Sequence, residues 1–244
     1  MIMRAPILEL RRVTKRFRGL VAIDNASLSV APGSITSLIG PNGAGKSTIF
    51  NPVTGYLPVS AGEVLFHGEP ITGQSTVAVA RLGIARAFQI ARPFPEISVR
   101  DNVRIGALFG RDGARDVAEV TRHALNMAGL ADHAERPAGD LTVGYLRRLE
   151  IARAIATRPV LLLADEPCAG LNPAETDEVC DILRRVRDRG TTVLLVEHDM
   201  AAVMRISDHI VVLDAGALIA EGTPDQISAD PRVIAAYLGT PDPA

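Results

Sequence analysis

Gly40-Pro41-Asn42-Gly43-Ala44-Gly45-Lys46-Ser47-Thr48 fits the pattern G-x-x-x-x-G-K-[ST] and follows the apolar run Ile35 to Ile39, which reads as a strand. Glycine lets the backbone turn tightly enough to aim several N–H groups at one anion. A helix beginning near Gly45 adds its positive dipole end. Gly40 to Thr48 would then cradle phosphates, with Lys46 reaching the outer ones and Ser47 holding Mg²⁺. Taken alone, the loop specifies a nucleoside triphosphate and no particular use for it.

The 244 residues suffice for one large α/β domain with a sizeable core. A net charge of −2 provides no basic field for a polyanion, so nucleic acid is not an expected partner. The cluster Arg11, Arg12, Lys15, Arg16 and Arg18 reads as a solvated face. Cys168 and Cys180, the only cysteines, are too few for a disulfide framework, which fits a reducing cytosol. Met1-Ile2-Met3-Arg4-Ala5-Pro6 lacks a signal-peptide core, and charges interrupt every apolar run before the ~18 residues a membrane helix needs. Association with a membrane is therefore expected only through a partner.

Alternation over residues 7–30, with apolar Ile7, Leu8, Leu10 and Val13 and then Val21, Ile23, Leu28 and Val30, predicts paired antiparallel strands, joined by a short strand Val64 to Phe66. After Gln89 the pattern turns helical, broken by Arg92-Pro93, Phe94-Pro95, Gly110 to Gly113 and Arg136-Pro137, and ends in a helix from about Gly144 to Thr157. Val160 to Ala164 is a continuous apolar run of the kind parallel sheets bury on both faces. A helix Pro173 to Arg189, a strand Thr191 to Val196, a short helix Met200 to Ile206 and a strand His209 to Leu213 follow. Such alternation implies a doubly wound parallel sheet whose ligands bind at the strands' carboxyl ends. The tail from Thr223 carries three prolines beyond Pro224 and a helical stretch, Val233 to Leu238.

Three strand ends carry chemistry: the phosphate loop, Asp165-Glu166 and Glu197-His198-Asp199. An apolar strand ending in two acids suits a Walker B arrangement, Asp165 in the Mg²⁺ shell and Glu166 polarising the attacking water. His198 could hydrogen-bond the γ-phosphate and hold Glu166 and the water in line. Gln89 ends the segment Ile84 to Phe88, either as a solvent-facing strand terminus or with its amide on Mg²⁺ and the water. Leu141-Thr142-Val143-Gly144-Tyr145, leading into Leu146-Arg147-Arg148-Leu149-Glu150-Ile151-Ala152-Arg153-Ala154, resembles the L-S-G-G-Q signature of the ATP-binding cassette family. The order of parts is similar along the whole chain: aromatic residue, phosphate loop, glutamine, signature, Asp-Glu, histidine.

That resemblance implies an α/β P-loop NTPase of RecA-like core with a parallel sheet, a small antiparallel β subdomain and an inserted α-helical subdomain. Residues 1–89 and 158–222 would form the nucleotide core, 90–157 the helical part and 223–244 a tail. It also implies an ATPase with ATP and Mg²⁺, working as a head-to-tail dimer of such subunits under two transmembrane permeases. Phe17 stands where the family stacks an aromatic on adenine, or else fills the core. Thr142, Val143 and Gly144 would face the partner's γ-phosphate, and Ala169-Gly170-Leu171-Asn172 would form the D-loop. The runs 147–153, 169–173, Glu197-His198-Asp199-Met200 and Ala236-Tyr237-Leu238-Gly239 are most similar to ATPase subunits of branched-chain amino acid importers, which implies a cytoplasmic subunit held on the inner face of the membrane by its permeases, in a system with a periplasmic or extracellular solute-binding protein.

Related subunits that import amides or urea or export lipids share several of these runs; a P-loop small-molecule kinase is a more distant alternative. The segment Ile90 to Ile97 could take a permease helix or pack internally. Thr142, Val143 and Tyr145 depart from the signature's Ser, Gly and Gln, Val143 adding bulk on the approach to the partner's nucleotide. Pro52, which lacks an N–H and crowds the carbonyl of Thr48, should kink or end the helix launched at Gly45.

Overall fold

Leu8, Leu10 and Val13 turn inward and Arg11 and Arg12 outward, and this alternation builds β1 (Leu8–Phe17). Two consecutive exposed residues mark a bulge, where Arg12 takes φ 49° and the register slips between Leu10 and Val13. In the computed structural model, which describes residues 5–111 and 116–238, the chain divides into two units, Met1–Thr76 with Leu194–Ala244, and Val77–Val193. Met1 to Arg4, Gly113, and Gly239 with the closing prolines lie outside the described residues.

In the first unit, β1 pairs antiparallel with β2 (Leu20–Val30) as the alternation predicts. β3 (Ile35–Ile39), buried at all five positions, leads to α1 (Lys46–Val53). β4 (Ala61–Phe66) starts three residues earlier than expected, because its exposed first half pairs with β1, and β5 (Glu69–Pro70) completes the sheet order β2-β1-β4-β5. One expectation for this sheet fails. Lys15 is not solvated but 8% exposed, its Nζ donating to the Pro58 carbonyl at 2.7 Å.

Pro52 leaves α1 only one further residue. The helix stops at Val53, and the chain turns back on its last carbonyls, with Thr54 N on Phe50 O and Tyr56 N on Asn51 O. The early end spares the first turn, where the phosphates would bind.

The second unit holds α2 (Thr76–Arg81), β6 (Ile84–Ala87), α3 (Val99–Leu108), α4 (Val117–Met127), α5 (Val143–Ala156), β7 (Leu161–Asp165) and α6 (Pro173–Asp188). β6 and β7 run parallel, Ala87 level with Ala164. Asn172 and Glu175 close a capping box on α6 behind a proline at its first turn. The sequence places the helical part at 90–157, and α3 to α5 fill it. The unit division falls elsewhere, so that β6, β7, α2 and α6 group with those helices.

β8 (Thr192–Val196), buried throughout, returns the chain to the first unit, followed by α7 (Met200–Ile206), β9 (His209–Asp214), β10 (Ala217–Gly222), α8 (Pro224–Ser228) and α9 (Pro231–Leu238). β9 lies parallel to β3 and antiparallel to β10. Ile39, Ile210, Val212, Ala220, Val203, Ile227 and Val233 form one apolar cluster, so the helical tail is docked on this sheet. α2, β10 and α8 are not apparent in the sequence. Six-residue and five-residue helices show too little periodicity, and the apolar run of Ala217–Gly222 is only four residues long, Ala217 to Ala220.

Candidate active site

The phosphate loop is shaped by two glycines with no room for a side chain. A Cβ on Gly40, at φ 149°, would lie 2.0 Å from the Leu213 carbonyl oxygen, and one on Gly45, at φ 97°, 2.4 Å from that of Ala22. Gly45 is thereby the left-handed cap from which α1 springs, and Ile49 N on Gly45 O is its first intrahelical bond. The N–H groups of Lys46, Ser47 and Thr48 precede that bond, at the helix end where the dipole favours an anion.

Lys46 is 5% exposed and curls along the loop, its Nζ donating to the carbonyls of Gly40 at 2.7 Å and Pro41 at 2.8 Å. Asn42 and Gly43 stand exposed at the tip, and Ala44 ties it down, its N–H on Pro41 O and its carbonyl taking Gly216 N. On α9, Tyr237 faces the Gly40 N–H. Burial pushes its hydroxyl above the ordinary range and that N–H pulls it back. Phe17 ends β1 40% exposed, with Lys15 Nζ over its ring at 5.0 Å, so it is not a core phenylalanine.

His198 follows β8 with a half-exposed ring, its Nδ1 3.8 Å from Glu197 Oε2. Glu197 is wholly buried and accepts the His198 N–H at 3.0 Å, while Asp199 caps α7 through Ala202 N. The sequence places Glu197 in the strand-end run without giving it a role; the fold makes it the carboxylate that accepts the His198 N–H.

In the second unit, Asp165 closes β7 with its side chain 3% exposed, and Arg86 Nη2 donates to its Oδ2 at 2.5 Å. Glu166 turns out of the strand at φ 46°, a left-handed backbone costly for a residue with a Cβ, and Gln89 Nε2 donates to its Oε2 at 2.5 Å. Gln89 is exposed, and its amide is joined to the carboxylate expected to act on water.

The signature helix α5 starts at Val143, 54% exposed, after Thr142, whose side chain makes no cap bond. Tyr145, at the place of the signature's glutamine, packs within the second unit. Its ring packs against His133, tilted by 60° at 4.2 Å between centroids, with Arg148 over it at 5.0 Å and Arg148 paired in turn to Glu178. Arg147 donates to the Ala169 carbonyl in the D-loop at 3.1 Å.

Two further α5 residues hold the segment after β6. Burial pushes the Glu150 carboxyl up, offset by Arg153 and the Phe88 N–H. Arg153 reaches the Arg92 carbonyl at 3.0 Å and lies over the Phe94 ring at 5.8 Å.

Gly144 is buried against Glu175, and a Cβ there would meet Glu175 Oε1 at 2.6 Å. That carboxylate ends a flexible side chain and can retreat only by releasing the Asn172 N–H it accepts at 3.1 Å. Gly144→Ala should therefore cost about one capping box, ~1 kcal/mol. For a chain of this size that is a fall of about 2–4 °C in the thermal midpoint. Adding Gly144→Ala to Glu175→Ala should cost almost nothing more; a full second penalty would place the strain elsewhere.

A glycine-shaped phosphate loop at the head of one helix, with acids at the end of a buried parallel strand, defines the P-loop nucleotide hydrolases. Residues 23–169 match the ABC transporter family model, and residues 217–243 match that of the branched-chain amino acid ATP-binding cassette transporters. The high-affinity branched-chain amino acid transport ATP-binding protein BraF of Pseudomonas aeruginosa is 44% identical, over 97% of this chain and 99% of its own length. LivG of Escherichia coli, described in the same words, is 42% identical with the same coverage. Among solved structures, the ADP conformation of MJ1267, an ATP-binding cassette of an ABC transporter, superposes with a TM-score of 0.87 at 31% identity, over 97% of this chain and all of that one. The chain belongs to the ABC transporter family, as one of its ATP-binding, ATP-hydrolysing subunits. No helix among the described residues is long and apolar enough to cross a membrane.

Proposed function

We propose that this chain binds and hydrolyses ATP to drive an importer of branched-chain amino acids. Residues Gly40 to Thr48 hold the phosphates, Lys46 leaving its carbonyl partners to meet the outer ones, and Phe17 stacks on adenine. Ser47, Asp165 and Gln89 offer hydroxyl, carboxylate and amide oxygens, hard donors that suit Mg²⁺. When bound, Mg²⁺ neutralises phosphate charge. Glu166 accepts the proton of the attacking water, and His198 hydrogen-bonds the γ-phosphate.

The observation that carries this reading is the Gln89–Glu166 hydrogen bond. It fixes the carboxylate of a strained turn in one orientation, as a general base requires. Thr142, Val143 and Gly144 face the ATP of a second ATPase subunit, identical or paralogous, whose own signature faces this one. Two permeases, bound through the segment Ile90 to Ile97, hold the pair at the cytoplasmic face of the membrane, and a solute-binding protein delivers the substrate. The likeness to BraF and LivG and the match over residues 217–243 support the solute class.

The test is reconstitution of the full chain in vesicles with its permeases and solute-binding protein. Leucine-loaded binding protein should stimulate ATP hydrolysis and ATP should drive leucine uptake. Stimulation by an amide or urea alone would move the reading to a different solute class.

A further inference from the structure

Arg86 and Asp165 meet because of strand register. β6 and β7 are parallel with Arg86 level with Leu163, and alternate residues share a face, so Arg86, Phe88, Leu163 and Asp165 line one side. The guanidinium lies over the Phe88 ring at 4.8 Å and reaches along that face to Asp165 Oδ2 at 2.5 Å. Both partners are buried, the side chains 10% and 3% exposed. A carboxylate so far from water requires a counter-charge, and an arginine supplies one that pH cannot remove. Asp165 is also the acid assigned above to the Mg²⁺ shell, and a divalent cation approaching it meets the like charge of Arg86.

We propose that Arg86 is the resident counter-ion of Asp165, so that metal is taken up there only together with the negative charge of the nucleotide's phosphates. The inference rests on the assignment of Asp165 to the metal shell. Bare Mg²⁺ would have to share one carboxylate with a fixed cation; Mg²⁺ arriving with a triphosphate brings the balancing charge with it. Arg86 is a positioning residue, acting on the metal through Asp165 rather than touching the reacting atoms.

The experiment is thermal unfolding of the nucleotide-free full chain in EDTA and in millimolar MgCl₂. The wild-type midpoint should be the same in both. Arg86→Gln, which keeps an N–H donor for Oδ2 but drops the charge, should melt about 10 °C lower in EDTA, because a buried carboxylate loses its partner. MgCl₂ alone should then restore much of the loss. Arg86→Lys, which keeps the charge, should remain insensitive to MgCl₂. Arg86→Gln combined with Asp165→Asn removes both charges and should recover stability with no response to metal.

A folded Arg86→Gln protein indifferent to MgCl₂, or a wild type stabilised by MgCl₂ alone, overturns the proposal. If Arg86→Gln does not fold, free Mn²⁺ read by electron paramagnetic resonance decides from the wild type, which should leave the ion free until ATP is added. Unchanged Mg²⁺ dependence of ATP hydrolysis in Asp165→Asn would instead remove the metal assignment itself, a separate failure.

Discussion

Glu166→Gln abolishes steady-state ATP turnover, by about 10²–10⁴-fold, while nucleotide affinity stays near that of the native protein. The substitution is nearly isosteric, and its amide oxygen can still accept the Gln89 Nε2 hydrogen bond that the carboxylate takes at 2.5 Å. What disappears is the group able to accept a proton from water. Binding and geometry survive, chemistry does not, and a subunit pair closed over ATP no longer opens by hydrolysis. Phosphate release should fall to background, and size-exclusion chromatography with ATP should show a dimer that the native protein forms only transiently. Turnover within about threefold of native would mean that the water is activated elsewhere, since a positioned base is worth far more than that.

Of the residues in that prediction, Glu166 is announced locally, whereas Gln89 ends its segment with no local sign of which role it takes. A phosphate loop needs its glycines in one short run, a Walker B acid pair must follow an apolar strand, and the signature must open a helix. Strand Ile35–Ile39 and helix Met200–Ile206 fall where the pattern puts them. Arg86 and Glu150 carry no such signal. Arg86 finds Asp165 from 79 residues away through strand register, and Glu150 is defined by burial against Phe88 and Arg153. Charge type at a single position does not disclose a partner brought in by a parallel sheet. The solvated reading of Lys15 fails for a similar reason, because its acceptor is a carbonyl 43 residues on.

Tyr145 shows how a departure from a motif becomes intelligible only with its neighbours. In the sequence it is an ill-fitting residue at a glutamine position. In the fold its ring meets His133 at a tilt and carries Arg148 over it, and the His133 contact ties the first turn of α5 to a segment outside that helix. Leu146 N on Thr142 O is the first bond of α5, so the N–H groups of Val143, Gly144 and Tyr145 all precede it, whatever the side chain at position 145.

Gly40→Ala should be the most damaging single methyl in the chain. Its Cβ would stand 2.0 Å from the Leu213 carbonyl oxygen and 3.3 Å from the Ala44 Cβ, at a φ of 149° that L-residues rarely adopt. Leu213 cannot retreat, because β9 is held by β3 on one side and β10 on the other, Leu213 itself opposite Leu218. The loop must move instead, taking with it the Gly40 carbonyl that receives Lys46 Nζ and the Gly40 N–H that faces Tyr237.

Backbone strain and the clash together should cost about 3 kcal/mol, a fall of about 6–12 °C in the thermal midpoint. Fluorescent-nucleotide titration should show affinity lost by at least about 100-fold, the equivalent of ~2.8 kcal/mol. Gly43→Ala is the internal control: φ there is 82°, but nothing lies within 4 Å of the added carbon, so it suffers strain without collision. It should melt close to native, about 1–2 kcal/mol less stable, and still bind nucleotide. If the two variants behave alike, conformational strain alone sets the loop's tolerance, and the close approach to Leu213 plays no part in holding the phosphate site.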